Sequence, residues 1–216
     1  QNVRGMVSGL HGCAGFQVND HWNSGICIKD LLNEYKPTTV LELGASAGAC
    51  TIKLLCHAYD MDYELTTVDD GPPNYRVLDN ISFYTESRAR EGRTPLKYEW
   101  IRGISYIEVA KMKPKHIDFC LLDTDHNSWT VAKEIEALEP IMSNRSILAF
   151  HDTEINRHDN GVYERYKTQQ YYPSSEIESD TRTYTEAVVS GMADNWDLLC
   201  ESPENAGAMV FQRKAA

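Results

Sequence analysis

The chain has 216 residues, a length that suits one domain with a core large enough to enclose a small ligand. Its formal net charge is −11, which argues against nucleic acid as the main partner because phosphate binding needs a surplus of Lys and Arg on some face. Hydrophobic residues make up 42% of the chain, but no apolar run approaches the roughly 20 residues of a membrane-spanning helix, so we expect no membrane partner.

Apolar runs of strand length alternate along the chain with segments of helical period, a pattern typical of βαβ units and a parallel sheet. An amphipathic helix, Ser24–Tyr35, comes first. Five predicted strands follow at Thr38–Gly44, Tyr63–Asp70, Leu96–Gly103, His116–Asp123 and Ser146–Asp152. The helices predicted between them are Ala47–Asp60, Val77–Arg90, Ser105–Met112 and Ser128–Met142. The pattern closes with a helix and two strands, Tyr184–Asp194, Trp196–Ser202 and Ala206–Lys214.

The last two strands are joined by a link short enough for a hairpin, so we expect them to pair antiparallel. Right-handed crossovers between the earlier strands give a doubly wound α/β fold: a three-layer α/β/α sandwich around a mostly parallel, seven-stranded sheet. We expect residues 24–216 to form this domain and residues 1–23 to fold over its site as a lid. The polar, Tyr-rich segment 153–180 is predicted to cover the crevice as an acceptor loop.

The six cysteines show no CxxC pairs and no zinc-type spacing, and several lie in apolar stretches where a thiol acts as a small hydrophobic group. The first nine residues contain one Arg and no apolar segment, unlike a signal peptide. These features predict reduced thiols and a cytoplasmic location.

A glycine-containing loop, LELGASAGACT, follows the first β-rich run and opens a helix. Gly44 and Gly48 allow a tight turn and a close approach to a ligand, although Ser46 replaces the second glycine of the dinucleotide pattern G-x-G-x-x-G. Asp69 ends the next strand about 20 residues later, where a carboxylate can accept hydrogen bonds from ribose hydroxyls. The two features together predict an adenosine-type nucleoside without naming the cofactor.

The segment VLELGASAG resembles the first motif of class I S-adenosylmethionine-dependent methyltransferases, and the terminal hairpin is similar to that family's topology. The resemblance implies S-adenosylmethionine as cofactor, with Asp69 holding its ribose. It also implies that the methionine end is lined by Glu42, Gly44, Ser46 and Gly48. The segment WIRGIS is similar to the loop that borders the adenine, which implicates Gly103 and Ser105.

Polar side chains follow the fourth and fifth strands, in LLDTDHNSW and AFHDTE. These strands are expected to be neighbours, so Asp123, His151 and Asp152 should face one crevice. Carboxylates suit Mg²⁺ and Mn²⁺, and imidazole admits Mn²⁺, Fe²⁺ or Zn²⁺. The sequence therefore predicts a divalent-cation site of these three residues.

The pattern D-x-D-H … F-H-D-T resembles the metal-dependent O-methyltransferases of methyltransferase family 24 and of the catechol, macrolide-sugar and cephalosporin-biosynthesis type. In these enzymes an Asp at the position of Asp123 and two adjacent residues after strand five bind Mg²⁺. The adjacent pair there is Asp-Asp, Asp-Asn or Glu-Asp, whereas it is His151–Asp152 here, which leaves open whether His151 binds the metal, lies behind the ligands or acts as a base. We expect Mg²⁺ first, with Mn²⁺ or Fe²⁺ as alternatives, and we assign Asp123 to the cofactor side of the site as well.

Two neighbouring residues are candidates for proton transfer. His126 is the predicted catalytic base, since an imidazole accepts a proton near neutral pH, and a structural hydrogen bond is its alternative role. Asp125 is predicted to orient His126 or to add a ligand, unless it caps the helix that starts near Ser128.

The predicted function is divalent-metal-assisted O-methylation of a small-molecule acceptor, with a hydroxyl on a sugar or natural product as the leading candidate and a homo-oligomer as a possible state. Three alternatives stay open at this point. They are a metal-independent methyltransferase, an NAD-type oxidoreductase on a similar sheet, and a catalytically silent binding domain.

Overall fold

The computed structural model describes residues 28–112, 116–153, 182–202 and 207–215. The predicted lid 1–23, the start of the first helix at Ser24 and the acceptor loop beyond Thr153 lie outside these residues. The helices are α1 (Ile28–Tyr35), α2 (Ala49–Met61), α3 (Tyr75–Arg90), α4 (Ser105–Lys111), α5 (Ser128–Leu138) and α6 (Tyr184–Met192). The strands are β1 (Thr39–Leu43), β2 (Glu64–Asp69), β3 (Tyr98–Arg102), β4 (Ile117–Leu122), β5 (Met142–His151), β6 (Trp196–Ser202) and β7 (Ala208–Arg213).

The seven strands form one sheet in the order β3-β2-β1-β4-β5-β7-β6. Pairing is parallel from β3 through β5, and β7 runs antiparallel to both β5 and β6. The predicted doubly wound sheet with a C-terminal antiparallel hairpin is thus confirmed. Because β1 has β2 on one side and β4 on the other, the strand order reverses there, and the crevice at such a reversal is where open α/β sheets bind ligands.

Successive side chains along the central strands point to opposite faces of the sheet, so the buried residues form two hydrophobic clusters, one on each face. In β1, for example, Leu41 and Leu43 belong to one cluster and Val40 to the other. Helices α4, α5 and α6 pack on the first face through Val109, Val131 and Val188, among others. Helices α1, α2 and α3 cover the opposite face, which completes the three layers.

One boundary differs clearly from the sequence-based expectation. The helix predicted to reach Met142 ends at Leu138, and β5 begins at Met142, which pairs with Ile117. A register shift follows this pair, and Ser143 donates from its hydroxyl to the carbonyl of Ile117 and to Asp118. The polar residues Ser143–Arg145 thus lie at the irregular end of β5.

The four cysteines in the described ranges, Cys50, Cys56, Cys120 and Cys200, are present as thiols. Within the same ranges no helix combines the length and apolar composition that crossing a bilayer requires.

Candidate active site

The loop between β1 and α2 depends on glycine at both of its ends. Gly44 has a φ of 82° and Gly48 a φ of 79°, both in the left-handed region that side chains disfavour. A Cβ on Gly44 would overlap the carbonyl of Asp123 and come within 2.9 Å of Thr124 Cα, and one on Gly48 would overlap Val77. The glycine at position 44 thus lets the loop lie directly against the backbone that carries Asp123.

Asp69 holds this loop in shape. Its Oδ2 accepts hydrogen bonds from the backbone N–H groups of Ala45, at 2.7 Å, and Ser46, at 3.0 Å. Its Oδ1 accepts from the N–H of Gly71 at 2.8 Å. A carboxylate offers about four acceptor positions, so lone pairs remain for a ribose hydroxyl, the role that the sequence predicts for Asp69.

Glu42 lies beneath the loop and is fully buried. Its Oε2 accepts hydrogen bonds from the hydroxyls of Thr51, at 2.8 Å, and Thr67, at 2.9 Å, which links α2 to β2. Burial raises the pKa of Glu42 to about 8, although both hydroxyl contacts lower it. Its Oε2 thus supports the loop, whereas its Oε1 has no hydrogen-bond partner among the described residues, and the expectation that Glu42 lines the methionine end of the cofactor stays a prediction.

The predicted adenine-side residues lead to a second buried carboxyl group that the sequence reading missed. Gly103 donates its N–H to the carbonyl of Asp69 at 2.9 Å, and the buried Ser105 donates its hydroxyl to Glu134 on α5. Glu134 also accepts from the hydroxyl of Thr124 at 3.2 Å, and burial raises its pKa to about 8. Glu134 therefore ties Ser105, the first residue of α4, to Thr124, which follows Asp123.

The signal for Glu134 was present in the sequence. It falls at helical spacing between Val131 and Leu138, so an acidic residue occupies the apolar face of α5, where a charge is costly unless it has partners.

The ends of β4 and β5 bring four side chains together. Asp123, His126, His151 and Asp152 each offer one ligand atom, and these atoms all lie within 4.8 Å of one another. Nδ1 of His151 is 3.2 Å from Oδ1 of Asp123 and 3.0 Å from Oδ1 of Asp152. Nε2 of His126 is 3.3 Å from Oδ1 of Asp123 and 3.5 Å from Oδ2 of Asp152. The three predicted ligands thus converge, and His126 joins them.

The rings of both histidines are held by their surroundings. The side chain of His126 is only 10% exposed and that of His151 only 14%. The ring of His126 meets the buried ring of Tyr184, from α6, edge to face at a centroid distance of 5.5 Å. Both imidazoles are therefore packed against the carboxylates and do not extend into solvent.

Asp123 and His151 stabilise each other's charged forms. Burial opposes ionisation of Asp123, but the contacts with His126 and His151 outweigh it and hold the pKa of Asp123 well below its usual range. Burial likewise lowers the pKa of His151, but the contacts with Asp123 and Asp152 outweigh it and raise that pKa.

Asp125 has its hydrogen-bond partners at the start of α5, close to the alternative role that the sequence left open for it. Its Oδ1 accepts from the N–H of Asn127 at 3.1 Å, and its Oδ2 accepts from the hydroxyl of Thr130 at 2.9 Å. Both oxygens are thus used within the turn before α5, and burial raises the pKa of this carboxyl group. Asp125 is not one of the four clustered side chains, but its charge interacts with His126, which lowers its pKa, so an orienting role stays a prediction. The cap of α5 is Asn127, which accepts from the N–H groups of Trp129 and Thr130.

The donor set suits a divalent cation. Two donors bound to one cation at about 2.1 Å stand about 3.0–3.4 Å apart, depending on the coordination geometry. The contacts between the imidazole and carboxylate atoms here span 3.0–3.5 Å. These distances also fit hydrogen bonds between imidazole and carboxylate, so the spacing permits a shared cation without requiring one.

Comparison with known proteins places this geometry in context. A family described as a methyltransferase domain matches residues 41–153, just over half of the chain. The rhamnosyl O-methyltransferase of Mycobacterium bovis is 25% identical over 147 residues, which cover 65% of this chain and 54% of the relative. The chain thus spans about half the length of the curated relatives it matches.

Solved structures share the fold at low sequence identity. A methyltransferase from Podospora anserina, solved with SAH bound, has a TM-score of 0.52 and 15% identity, over 86% of this chain and 75% of that one. An O-methyltransferase from Bacillus cereus, in complex with SAH, has a TM-score of 0.50 and 12% identity, over 87% and 79% of the two chains.

Proposed function

This chain belongs to the methyltransferase domain family, and on that premise we propose that it transfers a methyl group from S-adenosylmethionine to a hydroxyl oxygen of a small molecule, with the help of a divalent cation. The sulfonium donor supplies the methyl carbon, its C–S bond breaks as the C–O bond forms, and the hydroxyl proton leaves to a base. The two likenesses to SAH-bound methyltransferases support this choice of cofactor.

The convergence of Asp123, His151 and Asp152 beside the glycine loop is the observation that carries the proposal. In this proposal the three residues would hold the cation, and a bound cation would supply a Lewis acid that fixes the acceptor hydroxyl and lowers its pKa. His126 accepts the proton, since its Nε2 faces the same space from a fixed ring. The loop from Gly44 to Gly48, held by Asp69, receives the nucleoside.

A sugar hydroxyl is the acceptor we propose. The curated relatives are named as rhamnosyl O-methyltransferases, which supports this class. The net charge of −11 disfavours phosphorylated acceptors, because these need a basic surface.

The test has two measurements on the same protein. Calorimetric titration should detect binding of S-adenosylhomocysteine and none of NADH. Methyl transfer from labelled S-adenosylmethionine should then be measured on rhamnosides, with free catechol as a second acceptor, before and after treatment with EDTA. We expect transfer to the rhamnosides that EDTA abolishes and added divalent cation restores.

Asp152→Asn should lower this transfer by at least about 100-fold while S-adenosylhomocysteine still binds. The matched control is Asp197→Asn, at an exposed position on β6, which should leave both unchanged. Absence of S-adenosylhomocysteine binding would refute the methyltransferase assignment, and transfer that persists in EDTA would refute the metal assistance.

A further inference from the structure

The cation site differs from an all-oxygen site in one ligand position. His151 is the last residue of β5, and its Nδ1 lies 3.2 Å and 3.0 Å from oxygens of the two carboxylates, Asp123 and Asp152. An ion bound between these two carboxylates would therefore have this nitrogen beside it.

The imidazole of His151 has little freedom to leave this space. Its side chain is 14% exposed, and the backbone of His151 is paired with Ala208 of β7 on one side of the sheet. The preceding residue, Phe150, pairs with Leu122 of β4, so both neighbouring strands fix where the side chain starts. A cation at this site thus meets one nitrogen donor and two carboxylates.

A nitrogen donor changes which cations the site favours. Mg²⁺ prefers oxygen ligands and keeps much of its water, whereas imidazole suits the first-row transition metals. For a mixed nitrogen and oxygen site, affinity rises from Mn²⁺ through Fe²⁺, Co²⁺ and Ni²⁺.

We propose that His151 is a direct nitrogen ligand that makes this site select a first-row transition cation over Mg²⁺. This inference takes the presence of a cation from the proposed function and adds which cation binds. It replaces the sequence-based expectation of Mg²⁺. His126 is not required for the selectivity, because we assign it to the proton.

Cation binding to the protein alone tests the inference without any methyl transfer. Mg²⁺, Mn²⁺ and Co²⁺ are titrated into chelator-treated protein by calorimetry, and the visible absorption of Co²⁺ reports its ligands directly. We expect Co²⁺ to bind more tightly than Mn²⁺, and Mn²⁺ more tightly than Mg²⁺.

Two single variants separate the histidines. His151→Asp should weaken Co²⁺ binding by about 10- to 100-fold, shift its absorption and strengthen Mg²⁺ binding, since the site then carries three carboxylates. His126→Asn should keep the order of affinities and the Co²⁺ spectrum.

Preference for Mg²⁺ in the unchanged protein would overturn the inference and leave the proposed function standing. An unchanged Co²⁺ spectrum in His151→Asp, or a loss of selectivity in His126→Asn instead, would also overturn it. Failure of all three cations to bind would remove both the inference and the metal assistance, whereas S-adenosylhomocysteine binding would still test the methyltransferase assignment separately.

Discussion

Replacing Glu42 with Gln measures the cost of a carboxyl group buried beneath the glycine loop. Burial raises the pKa of Glu42 from 4.5 to about 8 in the folded protein. Between these two values the folded state keeps a proton that the unfolded chain has released, so the free energy of unfolding falls as the pH rises. The stabilising contribution is complete below the unfolded pKa and is lost as the pH passes through the folded one.

The magnitude follows from the size of this pKa change. A difference of about 3.5 pH units corresponds to about 5 kcal/mol in all, lost at about 1.4 kcal/mol per pH unit. From about pH 5.5 to about pH 7.5 the ionisation of Glu42 in the unfolded chain therefore removes about 2–3 kcal/mol from the free energy of unfolding. A Gln side chain still accepts hydrogen bonds from the hydroxyls of Thr51 and Thr67, but it does not ionise in this pH range.

Urea unfolding followed by circular dichroism checks this at three pH values in that window. The free energy of unfolding of Glu42→Gln minus that of the unchanged protein should increase by about 2–3 kcal/mol across this pH range. Glu86→Gln, at an exposed position of α3, is the control and should give a difference that does not vary with pH. A constant difference for Glu42→Gln as well would refute the buried, protonated state of this residue.

Two further predictions use paired substitutions. Gly44→Ala should destabilise the fold by several kcal/mol in thermal unfolding and weaken cation binding, because the new Cβ displaces the backbone of Asp123. The control Gly92→Ala has open space around it and should cost only about 1–2 kcal/mol. Equal costs for the two variants would contradict the predicted clash. Arg88→Met should lower the free energy of unfolding in urea by about 2–4 kcal/mol, because the buried guanidinium donates hydrogen bonds to carbonyls at the end of α2. The control Arg90→Met, at an exposed position, should be nearly neutral. A neutral Arg88→Met would contradict a stabilising role for these hydrogen bonds.

Much of the fold could be predicted because its central strands are short runs of mainly apolar residues. The strand predicted at Trp196–Ser202 has those bounds in the structure, and the runs that end at Leu43 and Leu122 are buried almost throughout. The start of β5 could not be predicted, since Ser143–Arg145 is polar and lies in the register shift between the pairs Ile117–Met142 and Phe119–Ile147.

The site was predictable where strand order decides it. Asp123 and His151 follow from two neighbouring parallel strands, and their meeting requires no information beyond the topology. Asp69 was harder, because the sequence does not reveal that it bonds the glycine loop, and for Asp125 the sequence left open the choice between His126 and the start of α5. A carboxylate at the end of a strand has the same place in the sequence whether it faces a ligand or accepts hydrogen bonds from nearby backbone N–H groups.

The four side chains of the cluster are brought together by two different physical causes. Leu122 pairs with Phe150, so the next residues along the parallel strands, Asp123 and His151, are neighbours through sheet register alone. The other two have left-handed backbones, with φ 55° at His126 and 57° at Asp152. Such a conformation costs a residue with a side chain about 1–2 kcal/mol and persists only where the surroundings impose it.

For His126 the packing of its ring on Tyr184 supplies part of that constraint. For Asp152 the constraint comes from both sides, since His151 pairs with β7 and Thr153 donates its N–H to the carbonyl of Gly207 at 3.3 Å. The sheet therefore provides one carboxylate and one imidazole, and two strained turns add the others. Because the turns are local properties of this chain, the sheet topology alone does not carry the chemistry proposed for the site.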